Sequence, residues 1–161
     1  MIQNKIKRIL IAMDYHPTAL KVAEVGFKMA KAMKAEVVLL HVVINMLTYS
    51  LTYLEMDPLK LESLKDLKQA SQDFLEKSKK HLGDNMIQTI VKDGDFAVSI
   101  LNTARELAVD IIVMGSHSTK WLEEVVMGRV TNEVLQKTKI PILIIPTKKR
   151  DNENTLISME K

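Results

Sequence analysis

The chain has 161 residues, with 23 Lys and Arg against 20 Asp and Glu for a net charge of +3, a length suited to one domain burying roughly two thirds of its unfolded surface. The charges alternate in sign rather than forming a basic stripe, which argues against nucleic acid, and the absence of cysteine excludes disulfides, thiolate chemistry and a Cys-based zinc site, while four scattered histidines make a poor metal cage. No apolar stretch approaches the roughly 18 residues that span a bilayer, and Asp14 interrupts the short apolar run near the start, unlike an export signal, so the expectation is a cytoplasmic protein without membrane contact.

Lys7 to Met13 is an apolar, β-branched run that reads as a first strand, closed by Asp14, and His16-Pro17 suits the opening turn of a helix. From Pro17 to Lys34 the residues Leu20, Ala23, Phe27, Ala30 and Met33 recur at helical steps, an amphipathic pattern. Glu36 to Ile44 reads as a strand covered on both faces, and Asn45 to Asp57, with Tyr49 and Tyr53, takes no assignment. Pro58 to Leu82 returns to helical period through Leu61, Leu64, Leu67, Phe74, Leu75 and Leu82, with Gly83 as its stop. Met86 to Lys92 is a third strand. Asp95 caps a helix whose buried side is Ile100, Leu101, Ala104, Leu107 and Ala108.

The next stretch, Asp110 to Thr131, carries the chemistry. Ile111 to Met114 form a buried strand that delivers Gly115 at its carboxyl end, and Gly128 precedes a helix starting near Arg129. Glycines let an anion approach the main chain, and a helix start offers N–H groups and the positive end of its dipole, which together suit phosphate. Two glycines alone fit a plain turn and a separator of helical turns equally well. Ile140 to Pro146 is an apolar run bracketed by prolines, as befits an edge strand, and residues 148–161 form a polar tail without enough apolar surface to order itself.

Alternating strands and helices call for an α/β fold: a doubly wound, five-stranded parallel sheet with helices on both faces. Ligands of such sheets bind outside the carboxyl ends of strands where the winding reverses, so neighbouring strands one and four would face Asp14 and Gly115 across one crevice.

With these pieces in place, residues 7–146 resemble the universal stress protein family. Its ATP-binding members carry, after strand four, a glycine, two residues, a second glycine, nine residues, a third glycine and a Ser or Thr. Gly115 and Gly128 match the first and third glycines at the same spacing. Asp14, Leu40 to Val43, Gly94-Asp95, Asp110 to His117 and Val130-Thr131 resemble other parts of the pattern. The resemblance implies strand order 3-2-1-4-5, a domain over residues 1–147 and a homodimer paired through the last strand, Ile142 to Ile145. An unpaired apolar edge is a hazard until another strand covers it, which points the same way. The resemblance also implies ATP as ligand, with magnesium beside its phosphates. Its binding residues would be Ala12, Asp14, Val42, Met114, Gly115, Ser116, His117, Ser118, Gly128, Arg129, Val130 and Thr131. Asp14 would contact the nucleoside, Val42 would lie against adenine through its main chain, and the glycine segment would line ribose and phosphates.

Two positions depart from the pattern. Ser118 replaces the second glycine; a left-handed backbone there would cost roughly 1 to 2 kcal/mol, tilting the loop, or its hydroxyl replaces an N–H contact. Arg129 replaces the usual Ser or Thr. A cation in a first helical turn is disfavoured unless an anion is bound, so Arg129 is either a phosphate contact or a surface partner of Glu123 or Glu124. Asp14 serves the site or caps the turn at Pro17; His16 is a turn residue, His41 a satisfied core histidine, and Trp121 a packing residue, while His117 lies in the loop near the phosphate position. The expected function is an ATP-binding dimeric regulator or sensor in stress response, acting on a protein partner, with hydrolysis slow or absent. The alternative is a dimeric interaction protein that binds no nucleotide. An enzyme is disfavoured because no Walker lysine motif and no acid cluster accompany Asp14.

Overall fold

The computed structural model describes residues 5–44, 58–116 and 127–147, with 58–64 described by their backbone alone. The elements in chain order are β1 (Arg8–Ala12), α1 (Ala19–Met33), β2 (Glu36–Val43), α2 (Pro58–Leu82), β3 (Gln88–Asp93), α3 (Phe96–Glu106), β4 (Ile111–Gly115), α4 (Arg129–Lys137) and β5 (Ile142–Ile145). All strand pairings are parallel and the sheet order is β3-β2-β1-β4-β5, the order expected. β5 is an edge strand, as its flanking prolines require.

The period of two along each strand sorts the core into two layers. Ile9, Ile11, Leu39 and Val113 face Ala19, Val22, Ala23 and Ala30 of α1 and Leu75 of α2. Leu10, Leu40, Val42, Ile112 and Met114 face Ala97, Ile100 and Ala104 of α3 and Val134 of α4. This two-sided burial explains why β2 reads as an apolar run interrupted only by His41: every residue after Glu36 in it is buried. Gly26 lets α1 sit close to the sheet, because a Cβ there would stand 2.8 Å from Ile11 Cδ1 and 3.2 Å from Val113 Cγ1.

Several boundaries differ from the sequence expectations. α1 begins at Ala19, not Pro17, because His16 and Pro17 belong to a turn in which the Asp14 carboxylate accepts the His16 N–H at 3.0 Å. Asp14 therefore caps that turn and not the helix. β3 begins at Gln88, not Met86: the Asp84 carboxylate accepts the Met86 N–H at 2.9 Å, holding a turn that leaves the Met86 side chain exposed. α3 ends at Glu106, so Leu107 and Ala108 lie beyond it; Leu107 is the C-cap and still packs against the core layer under α3, whereas Ala108, at φ +50°, is exposed. The Ala108 and Val109 N–H groups bond back to Arg105 and Ala104 carbonyls at 3.1 and 2.9 Å, a Schellman closure with alanine where glycine is usual. Asp95 caps α3 as expected, accepting the Val98 N–H at 2.9 Å. The Asn45 to Asp57 segment, the Leu61 and Leu64 side chains and the 148–161 tail lie outside the described residues.

Candidate functional site

A cleft of about 590 Å³ opens at the carboxyl ends of the strands. β1 and β4 are hydrogen-bonded neighbours, so the chain leaving each strand reaches the same place. Ala12 and Asp14 from the β1 exit, Val42 from β2, and Met114 and Gly115 from β4 line the cleft together with Gly128, Arg129, Val130 and Thr131 of the α4 start.

The walls are built by identifiable bonds. Met13 is clamped between β1 and β2: its N–H donates to the Leu40 carbonyl at 2.8 Å and its carbonyl lies 2.7 Å from His41 Nδ1, which must carry the proton to bond there. Burial lowers the His41 pKa from its ordinary value, outweighing the opposing pull of the Met13 carbonyl and Asp14, so the ring is neutral at pH 7. His41 is thus a satisfied core histidine, 5% exposed, whose ring also edges the cleft.

On the β4 side, the Thr131 hydroxyl donates to the Gly115 carbonyl at 2.9 Å, fixing the first turn of α4 on the strand end. The Ser116 N–H donates to Ile145 at 2.9 Å, and the Ser116 carbonyl accepts the Gly128 N–H at 3.2 Å, so the chain leaves and returns through one neck. The Ser116 hydroxyl accepts the Thr147 N–H at 3.1 Å, which ties that neck to the end of β5. Gly128 sits at φ −57° and ψ 150°, a conformation open to any residue, so its contribution is a missing side chain at the cleft wall rather than an unusual backbone. The first intrahelical bond of α4 runs from the Asn132 N–H to the Gly128 carbonyl at 3.0 Å, and the Arg129, Val130 and Thr131 N–H groups precede it. Those amides, the helix dipole and the exposed Arg129 give this end of the cleft positive character; Asp14 is the one acidic lining side chain among the described residues.

Ser116 lies just behind the lining, and His117, Ser118, Trp121, Glu123 and Glu124 lie outside the described residues. Sequence reasoning did not single out Tyr15, Thr18, Leu67, Phe96 and Thr147, which also line the cleft. Tyr15 adjoins Asp14 and Thr147 follows β5 beside β4, so position next to matched residues was the available signal. Leu67 reads as an ordinary apolar residue of its helix, and Phe96 follows the Asp95 cap with nothing in its residue type to point to the cleft.

The profile of the Universal stress protein family matches residues 5–146. The chain is 32% identical over 146 residues to universal stress protein YxiE of Bacillus subtilis, covering 86% of this chain and 97% of that protein. It is also 32% identical over 159 residues to a universal stress protein of Methanocaldococcus jannaschii, covering 88% and 96%. A solved structure of the latter superposes with a TM-score of 0.71 at 30% identity, over 91% of this chain and 99% of that one. More distant neighbours share the fold: a universal stress protein in complex with cAMP, at a TM-score of 0.65 and 15% identity over 89% of this chain and 99% of that one, and one from Archaeoglobus fulgidus in complex with dAMP, at 0.56 and 16% over 88% and 98%. On the strength of a profile match spanning nearly all of the folded sequence and of relatives matched almost end to end, this chain belongs to the universal stress protein family.

Proposed function

We propose that this protein binds ATP in the crevice between β1 and β4 and works as a homodimeric regulatory or sensor protein in stress response, in the cytoplasm. The observation that carries the reading is that one cleft combines an apolar wall with a helix start. Val42, Ile100 and Met114 supply surface for a base, Asp14 an acceptor for the nucleoside, and Gly115, Arg129, Val130 and Thr131 the donors and charge for phosphates. These residue types fit an adenine nucleotide, and relatives of the same fold have been solved with cAMP and dAMP. Magnesium would be held chiefly by the phosphates, since Asp14 is the only lining carboxylate among the described residues. The site supplies binding groups, and the protein is a binding module whose occupied state alters what it offers a protein partner.

The test is thermal unfolding of the full chain with ATP and magnesium, then with ADP, AMP and GTP. Ligand at about 100 times its dissociation constant adds about 2.7 kcal/mol, a rise of roughly 5 to 11 °C for a domain of this size. A rise with adenine nucleotides supports the reading; no rise with any of them overturns it in favour of a nucleotide-independent interaction protein. Pairing of β5 edges is the proposed dimer contact, so Ile144→Asp should elute as a monomer by light scattering, and a dimeric variant would remove the edge from the interface.

A further inference from the structure

The cleft does not stop at the phosphate end. It continues past the ends of β1 and β2 to the α1 and α2 side of the sheet, where Tyr15, Thr18, His41 and Leu67 line it. Tyr15 is held there from several directions. Its hydroxyl lies 2.7 Å from the hydroxyl of the fully buried Ser71, and Ser71 donates to the Leu67 carbonyl at 2.8 Å, so the tyrosine is the donor in the pair. Its ring packs at 4.4 Å from the His41 ring and 5.0 Å from Phe74, both tilted. Despite these anchors the residue remains 51% exposed. A tyrosine serving only to fasten α2 to the sheet would bury its ring along with its contacts. Here two ring contacts and a hydroxyl bond fix a residue that still lines the cleft, which gives a preorganised aromatic group with little conformational freedom left to lose on binding.

We propose that Tyr15 is a stacking wall for the planar heteroaromatic base of the ligand, and that Ser71 is the positioning residue that holds it. The proposal rests on the nucleotide reading above and adds a determinant on the side of the sheet away from α4. Stacking uses the π-face that all bases share, so Tyr15 contributes affinity for the nucleoside without reading the phosphates.

The experiment is calorimetric titration of the full chain and its variants with adenosine, AMP, ATP and tripolyphosphate, with unliganded melting temperatures to establish that each variant is folded. Tyr15→Ala should weaken adenosine, AMP and ATP by one common factor of about tenfold and leave tripolyphosphate unchanged. Tyr15→Leu, which keeps apolar bulk without a ring, should lose as much, whereas Tyr15→Phe should stay within about threefold of wild type because only the hydroxyl anchor is lost. Ser71→Ala should fall between them. Wild-type binding of nucleotides with Tyr15→Ala or Tyr15→Leu matching it overturns the stacking wall alone. Failure of the wild type to bind any adenine compound overturns the nucleotide reading and this inference with it.

Discussion

The two ends of the sheet are built to opposite specifications. At the amino-terminal end, charged groups are joined to main chain across strands: the Asp110 carboxylate accepts the Lys7 and Arg8 N–H groups at 2.7 and 2.9 Å, and Arg8 donates to Glu36 at 2.7 Å and to the Leu107 carbonyl at 2.6 Å. At the carboxyl-terminal end the strands stop around an open cleft, where Asp14 spends one oxygen on its own turn and the first turn of α4 faces the cavity. A parallel sheet makes this division natural, because all carboxyl ends fall on one side and all amino ends on the other. Stability can be concentrated at one end while the other keeps polar groups available.

Substitutions at the two ends should therefore fail in different assays. The largest effect is expected from Gly115→Val at the open end: side-chain bulk at the strand end should lower nucleotide affinity by about a hundredfold or more, with the unliganded melting temperature changed far less than the binding. Unchanged affinity in titration would place ligand elsewhere. Arg129→Ala should weaken ATP by about tenfold and adenosine hardly at all, since a guanidinium adds charge-assisted bonds only where there is phosphate; equal losses would return Arg129 to the surface.

At the closed end, Asp110→Asn should cost about 1 kcal/mol at pH 7 in denaturant melts, discounted for solvent screening, without altering ligand affinity. The Lys7 and Arg8 N–H groups lower the Asp110 pKa in the fold. A depressed native pKa contributes stability that is complete above the unfolded carboxylate value and lost as the pH falls through the native one. The gap between wild type and variant should consequently close as the pH drops below about 4. A gap independent of pH would show that the carboxylate charge is not what holds the strand ends. The smallest effect is Ala108→Gly beside that end, expected to raise stability by about 0.5 kcal/mol, because relief of the left-handed backbone is partly offset by greater freedom in the unfolded chain. A fall in melting temperature would contradict it.

The sheet was legible because its strands are buried on both faces: Ile9 to Ile11 and Ile112 to Met114 read as apolar runs, and so does Val37 to Val43 apart from His41. Boundaries failed where a local side-chain bond overrode propensity. Asp14 and Asp84 each hold a turn that postpones the next element, and neither bond follows from residue type alone. Ala108 in a left-handed cap is illegible for the same reason, since glycine is the residue that announces such an ending. Of the cleft, the half around Gly115 and Gly128 could be anticipated from a spaced motif, whereas the half around Tyr15 and Leu67 exists only because α2 packs beside the β1 exit.

The single bond between Ser116 and Gly128 also bears on how such a site can diversify. Because the chain departs and returns through that neck, with Ser116 pinned to Ile145 and Thr131 pinned to Gly115, the strand register does not depend on what lies between. Loop closure grows dearer only slowly with length, by about 0.6 kcal/mol for each doubling. The frame around the cleft is therefore held by bonds made outside the segment between the two glycines, and substitutions within that segment are expected to leave the sheet and its register in place.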